Sequence, residues 1–288
     1  MKNTSPVSII GCGYIGKRLA TQLQARDVPV DGYVSSEESR SECEKLDIHC
    51  DIIGLDGALP EIDLGGRNII YLAPPPRSEQ ADTRMKNFLQ AIDKDQPERF
   101  VLISTTGVYG DCKGDWIDES TQLNPTADRA KRRADAEQQV EAFCHDKNIP
   151  LVILRVAGIY GPGKIPEARI KSAAPIVNQQ DSPFTNCIHA VDLVNICEQA
   201  LLNTKITGTY NITDGHPGTM YEYFTGVAKA LGLPAPPAIS LAEAQHQLSE
   251  GMLSYMAESR RIDNSKLLKD FDLTLKYPSL QDGLQMIT

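Results

Sequence analysis

Gly11-Cys12-Gly13-Tyr14-Ile15-Gly16 follows directly on the apolar run Val7 to Ile10, and Ile15, Leu19 and Leu23 then recur at helical spacing. No other stretch constrains the chain as much. The first glycine permits a tight strand-to-helix turn, the second leaves the backbone bare toward a ligand, and the third lets helix and strand pack closely. A helix that starts at such a turn aims the positive end of its peptide dipoles at the turn's occupant. In this strand, turn and helix context the expected occupant is the pyrophosphate of a dinucleotide, with Gly11, Gly13, Tyr14, Ile15 and Gly16 as the cradle.

The remaining pattern agrees with that start. Val28 to Val34, His49 to Ile53, Asn68 to Ala73, Arg99 to Ser104 and Leu151 to Val156 read as buried strands, and Pro74, Pro75 and Pro76 close the third of these. Between them Met85, Phe88, Leu89 and Ile92 mark a helix face, and a long helix is predicted from about Thr126 to His145, with Ala130, Ala134 and Phe143 inward. Alternating strands and helices predict an α/β fold of the Rossmann type, a doubly wound parallel sheet. Past Gly161-Pro162-Gly163 the elements shorten: a helix near Val191 to Leu202, a strand near Thr209 to Ile212, a helix near Tyr221 to Leu231 and a last helical stretch from Leu241 to Met256. We therefore expect a dinucleotide-binding domain over residues 1–163 with a returning segment at about 186–212, and a small, discontinuous C-terminal α/β substrate lobe over 164–288.

Charge and composition narrow the partners. The net charge of −9 disfavours a nucleic-acid surface, which needs clustered Lys and Arg. No run approaches the roughly 20 apolar residues of a membrane span. The seven cysteines form no C-x-x-C pair and show no metal-ligand spacing. With a first strand at about Val7 there is no room for an export signal ahead of it. A cytoplasmic protein with a small-molecule substrate is the expectation.

Ser35 and Ser36 stand where an acidic residue would read the ribose hydroxyls of NAD, with Arg40 just beyond and Lys17 and Arg18 nearby. Hydroxyl and guanidinium groups suit a 2′-phosphate, so NADP is expected more than NAD. The alternative is that Ser35 caps the next helix and Arg40 is solvated.

Five segments in order, GCGYIG, YLAPPP (Tyr71 to Pro76), ISTTGVYGD (Ile103 to Asp111), LRVAGIYGPG (Leu154 to Gly163) and NCIHAVDL (Asn186 to Leu193), resemble the extended short-chain dehydrogenase/reductases. Within them the chain is similar to the NAD-dependent epimerase/dehydratase family, and the region around Arg261, Asn264, Lys266, Tyr277 and Pro278 resembles an atypical branch of it. The resemblance implies a seven-stranded dinucleotide domain, a small substrate lobe and often a homodimer. It places Thr105 at the catalytic Ser/Thr position, Asp51 against the adenine, Ala73 and Pro74 beneath the cofactor, and Val156 with Ala157 beside the nicotinamide, where the family usually has proline. His189 and Asp192 fall in a structural segment near the substrate.

One departure matters. The family's pair is Tyr-x-x-x-Lys, with a Glu usually four residues beyond the lysine; here Glu137 sets Arg133 at the lysine position and Arg129 at the tyrosine position. Using Lys131 instead puts Ala127 at the tyrosine position, so no register restores the pair. Arginine holds its proton to a pKa above roughly 12 and is no ordinary acid or base. Arg129 and Arg133, one turn apart, either clamp a carboxylate or diphosphate or belong to a solvated basic face. The proton then comes from another group, with Tyr109, Tyr160 and His189 the candidates, although each tyrosine also suits a packed strand end. Two functions follow: an NAD(P)-dependent oxidoreductase, epimerase or dehydratase acting on a polar, anionic substrate such as a nucleotide sugar, or a dinucleotide-binding sensor that has lost the chemistry. Trp116, in the loop from Asp111 to Asn124, either stacks on a base or sugar or covers the core.

Overall fold

Seven short apolar runs become the strands of one sheet: β1 (Val7–Ile10), β2 (Val30–Val34), β3 (Cys50–Ile52), β4 (Asn68–Tyr71), β5 (Arg99–Thr105), β6 (Leu151–Val156) and β7 (Gly208–Ile212). In this computed structural model, which describes residues 5–78 and 80–286, the strand order is β7-β6-β5-β4-β1-β2-β3. β1 runs parallel to both β2 and β4, with Val7 opposite Val30 on one side and Asn68 on the other. The strand order reverses between β1 and β4, and at such a reversal the chain ends part to leave a crevice. The Rossmann-type α/β expectation is met, and the seven strands match it in number.

The sheet belongs largely to one compact unit, Met1–Val108 with Asp128–Arg155 and Leu193–Tyr210. Its helices are α1 (Tyr14–Gln24), α2 (Glu37–Glu44), α3 (Thr83–Ala91), α4 (Asp128–Lys147) and α5 (Ala190–Leu202). α1 buries Ile15, Leu19, Ala20 and Leu23, the spacing that made it legible as a helix. On the other side of the sheet Tyr71, Phe88 and Phe100 stack in sequence, with ring centroids 5.3 and 6.3 Å apart.

α4 is too polar to be held by apolar burial alone, and its buried face includes Arg132 and Glu137 among alanines. Glu137 is 2% exposed and receives Arg155 of β6 through Nε at 3.2 Å and Nη2 at 2.7 Å. The hydroxyl of Ser104, on β5, donates to the same carboxylate. A carboxylate there is tolerated because these donors replace its water. They also fix α4 in rotation and register over β5 and β6.

The second unit comprises Tyr109–Ala127, Val156–Asp192 and Asn211–Thr288. Its pieces are small: two-stranded pairings of Gly158–Tyr160 with Cys187–His189 and of Trp116–Ile117 with Arg261–Ile262, and helices at Met220–Ala230, Ser265–Phe271 and Leu280–Leu284. The single helical stretch expected from Leu241 to Met256 is two helices, Leu241–Gln247 and Glu250–Met256. Leu248 turns extended at ψ 152°, and Ser249 then caps the second helix by accepting from the Met252 N–H. Sequence reading overlooked Ser249 because the apolar spacing runs on through the break.

Removing the Glu137 carboxylate leaves Arg155 buried and unpaired. Glu137→Ala should therefore cost about 3–5 kcal/mol in chemical denaturation, whereas pairing it with Arg155→Met should recover much of that loss. A double variant no more stable than Glu137→Ala would contradict this account.

Candidate functional site

Each glycine of the turn has its own reason. Gly11 has φ +90°, and a Cβ there would lie 2.6 Å from the Ala73 nitrogen, so the turn and the end of β4 touch backbone to backbone. At Gly16 a Cβ would press on Ile9 at 3.1 Å and Leu72 at 3.3 Å, the close helix packing expected of the third glycine. Gly13 is different: it is exposed, its φ is −91°, and a Cβ would meet nothing closer than the Gly11 oxygen at 4.0 Å. No neighbour crowds a Cβ at Gly13, so the backbone there lies bare toward a ligand. Gly13 is also the N-cap of α1 and supplies no side-chain cap, and the first turn carries no acidic residue, so the positive helix end stays open. The Gly11 and Cys12 amides anchor the turn on the Tyr33 carbonyl at 2.9 and 3.0 Å. Tyr14 is half-buried beneath the Arg18 guanidinium, 3.8 Å above its ring, and Ile15 packs into the core.

Beside the turn, a cleft with about 600 Å³ of free space is lined by Gly11, Ser35, Ala73, Pro74, Asp56 and Arg84, among others. Of the expected cofactor residues, Gly11, Ser35, Ala73 and Pro74 therefore meet in one place. Others do not line it. Asp51 is exposed on β3, and the carboxylate at the cleft is Asp56, gripped by Arg84 with Nε–Oδ1 at 2.6 Å and Nη2–Oδ2 at 2.8 Å. The same arginine donates to the Pro74 carbonyl at 3.1 Å. Ser36 caps α2 by accepting from the Ser39 N–H at 3.2 Å, a role the sequence had offered to Ser35. Arg40 pairs with Glu37 and Glu44 along its own helix, and Lys17 pairs with Glu42. Asp56 and Arg84 were missed because periodicity marks the apolar face of α3 and not its charged positions, and Asp56 lies in no periodic stretch, so only their opposite charges could have hinted at a pair.

From α4, Arg133 reaches over the end of β4 and donates from Nη2 to the Ala73 carbonyl at 3.1 Å. Its Nη1 is buried without a partner among the described residues, as are the Tyr71 hydroxyl and Asp82 Oδ2 close by. Burial pulls the Arg133 guanidinium below its ordinary pKa, while Asp82, Tyr71 and Glu137 oppose that pull. An orphaned buried donor beside the carbonyl that borders the cleft leaves a place for a ligand oxygen. Arg129, one turn earlier, is half-buried on the same helix. Thr105 ends β5, and its hydroxyl accepts from the Gly107 N–H at 3.2 Å, which leaves its own proton to donate.

In the second unit the proton-donor candidates are committed to structure. Tyr109 is 1% exposed and donates to Asn211 Oδ1 at 2.8 Å. Tyr160 donates to the Ser279 carbonyl at 3.0 Å, and burial raises its pKa. His189 lies 3.9 Å from the Tyr277 ring, centroid to centroid, and its Nδ1 accepts from the Val191 N–H, the packed role expected of a lone histidine. Asp192 accepts the Lys276 and Tyr277 amides at 2.7 and 2.9 Å. Val156 is buried where β6 ends, and Trp116 is 53% exposed with Arg261 above its ring. Sequence reading missed Asp214, a buried carboxyl pushed up to about 7 chiefly by desolvation and held at Oδ1 by the His216 N–H at 2.9 Å.

Comparison with known proteins agrees with the motifs. Residues 79–213 match the family model described as NAD dependent epimerase/dehydratase family. Protein YeeZ of Escherichia coli strain K12 is 26% identical over 94% of this chain and 96% of its own length. The dTDP-D-glucose 4,6-dehydratase of Bos taurus is 28% identical over 53% of this chain, which covers 42% of that protein. A conserved protein of unknown function from Silicibacter pomeroyi DSS superposes with a TM-score of 0.85 at 26% identity, covering 99% of this chain and 98% of that one. The resemblance read from the five motifs is borne out. Among the described residues no helix is long and apolar enough to cross a membrane.

Asp214 yields a stability signature. Its folded-state pKa of about 7 lies above the usual carboxyl value, so the native state holds the proton more tightly. The resulting stabilisation is full below the unfolded value of about 3.9 and lost as pH rises through the folded one. Thermal melts should show that Asp214→Asn flattens the fall in stability between about pH 4 and 7; an unchanged slope would place the titration elsewhere.

Proposed function

We propose that this chain, similar to the NAD-dependent epimerase/dehydratases in its motifs and over residues 79–213, is an NAD(P)-dependent oxidoreductase, epimerase or dehydratase acting on a polar, anionic substrate such as a nucleotide sugar. The observation that carries the reading is the bare Gly13 backbone at the open N-terminus of α1, next to a cleft bordered by the Ala73 carbonyl that Arg133 grips. A bound nicotinamide dinucleotide supplies the hydride acceptor or donor. The residues present fit such a group: the open amides of the first turn of α1 face the pyrophosphate, Ser35 and the end of β3 border the adenosine side, and Arg133 Nη1 is a free donor for a ribose hydroxyl or phosphate. Ser35 and Ser36 directly follow β2 where a carboxylate would read the ribose hydroxyls of NAD, and this favours NADP, with Arg40 exchanging Glu37 and Glu44 for a 2′-phosphate.

Thr105 donates its hydroxyl hydrogen to the substrate oxygen that is oxidised or reduced, while the Gly107 amide donates to the hydroxyl oxygen and orients it. Arg129 and Arg133 attract anionic substrate groups by charge and fork geometry, and neither moves a proton. The nucleotide-sugar class draws on the bovine dTDP-D-glucose 4,6-dehydratase, which is named for such a substrate.

A second reading, a dinucleotide-binding sensor, is favoured by one specific observation: Tyr109 and Tyr160 both give their hydroxyl protons to internal acceptors, and α4 offers no tyrosine in their stead.

The two readings separate by titrating NADPH, NADP, NADH and NAD calorimetrically and then assaying nucleotide sugars with the best-bound form. We expect Gly13→Ala to keep the fold and abolish binding, and Arg133→Ala to weaken it by about 10-fold, one charge-assisted hydrogen bond. Thr105→Val should lower kcat by about 100-fold with the cofactor still bound. Binding without turnover of any nucleotide sugar supports the sensor; binding of no nucleotide by the wild type overturns both readings.

A further inference from the structure

Beneath the turn, three thiols that the sequence keeps far apart come together. Cys12 sits between the first two glycines, Cys43 on α2 and Cys50 at the first residue of β3. Their three sulfurs all lie within 4.8 Å of one another. We propose that Cys12, Cys43 and Cys50 form a three-thiolate site for a soft, thiophilic cation of the copper(I) kind.

Geometry supports this first. A metal held in the plane of three thiolates at about 2.3 Å sets the sulfurs about 4.0 Å apart, so closing the site needs shifts below about 1 Å. Gly32 of β2 makes room for two of the sulfurs to gather: a Cβ there would lie 2.4 Å from Cys50 Sγ and 3.1 Å from Cys12 Sγ. That position in the strand is buried, where an apolar side chain would otherwise be expected.

The ligand count supports a soft ion of low coordination number. Among the described residues no His, Asp or Glu joins the three sulfurs. The neighbouring His49 is exposed, with Nδ1 toward Asp31 at 3.1 Å. Structural zinc takes four ligands, whereas sulfur donors alone select copper(I). The thiols are 1%, 0% and 5% exposed at Cys12, Cys43 and Cys50, so water does not complete a fourth position. Cys144, Cys187 and Cys197 are as deeply buried yet join no such group, so burial by itself does not gather cysteines here.

Charge and access are compatible with the site. Binding replaces three S–H bonds by three S–metal bonds and releases three protons to solvent; no electron moves. The resulting complex carries two negative charges, one thiolate of which precedes the uncapped N-terminus of α1, the end with positive character. Entry lies along the sheet edge, because β3 is the outermost strand and α2, which covers it, is eight residues long.

The test uses the full-length reduced protein, without oxygen, competing for Cu(I) against a chromophoric chelator. One equivalent should be withheld per chain, with three protons released and three thiols protected from alkylation. Cys12→Ser, Cys43→Ser and Cys50→Ser should each weaken retention by on the order of 100-fold or more, while Cys144→Ser and Cys197→Ser leave it unchanged. Because a variant can fail through its fold, the wild type is also melted with and without one equivalent of Cu(I), and a higher Tm with the metal is expected. Copper surrendered entirely to the chelator, retention equal in all five variants, or an unchanged wild-type Tm would each overturn the site.

Discussion

The buried carboxylate of Glu137 decides where α4 lies, and much else follows from α4. A helix on a sheet is ordinarily positioned by interlocking apolar side chains, which tolerate a slide. Here a charge that must be matched by Arg155 and Ser104 allows one register only, since a one-residue shift would strand two buried ions. Arg133 lies one turn before Glu137, and so its guanidinium is delivered to the Ala73 carbonyl as a fixed consequence. The same carbonyl belongs to the residue whose nitrogen presses on Gly11. The ion pair, the arginine and the glycine turn are thus links of one chain of contacts running from α4 across the ends of β4 and β1.

The sheet was legible because its signals are local. Val7 to Ile10 is apolar but for Ser8, the glycines follow at once, and the later strands are short, largely apolar runs between turn residues, so period and punctuation suffice. The long helix was placed within two residues of its observed ends at Asp128 and Lys147 by its spacing alone. Glu137 also marked the register in which Arg133 replaces the expected lysine. Where α2 begins was harder: Ser35 and Ser36 are equally good caps by type, and the choice of Ser36 rests on which residue turns extended.

The rest of the site was not legible, because it is made by contacts between distant segments. Asp56 and Arg84 have no motif between them, and Arg84 Nε meets its partner across the cleft only after β3 and α3 have taken their places. Cys12, Cys43 and Cys50 have no metal-ligand spacing, since the turn, α2 and β3 bring them together by topology. Asp214 carries no sequence signal, and its displaced pKa arises from burial that no neighbouring residue in the sequence encodes. The tyrosines expected to be available for chemistry are held by Asn211 and Ser279, acceptors about 100 residues away that only the fold supplies.

Both units are threaded discontinuously, and this sets a timetable for the growing chain. A nascent polypeptide leaves the ribosome from its N-terminus, yet β7, the edge strand beside β6, ends only at Ile212. Until then β6 has an open edge, and residues 109–127, which belong to the other unit, must wait as an unpaired excursion. That wait ends later still, because Ile117 pairs with Ile262 and Gly283 fits where any side chain would strike the Tyr160 hydroxyl. At synthesis rates of roughly 5–20 residues per second the exposed edge persists for seconds.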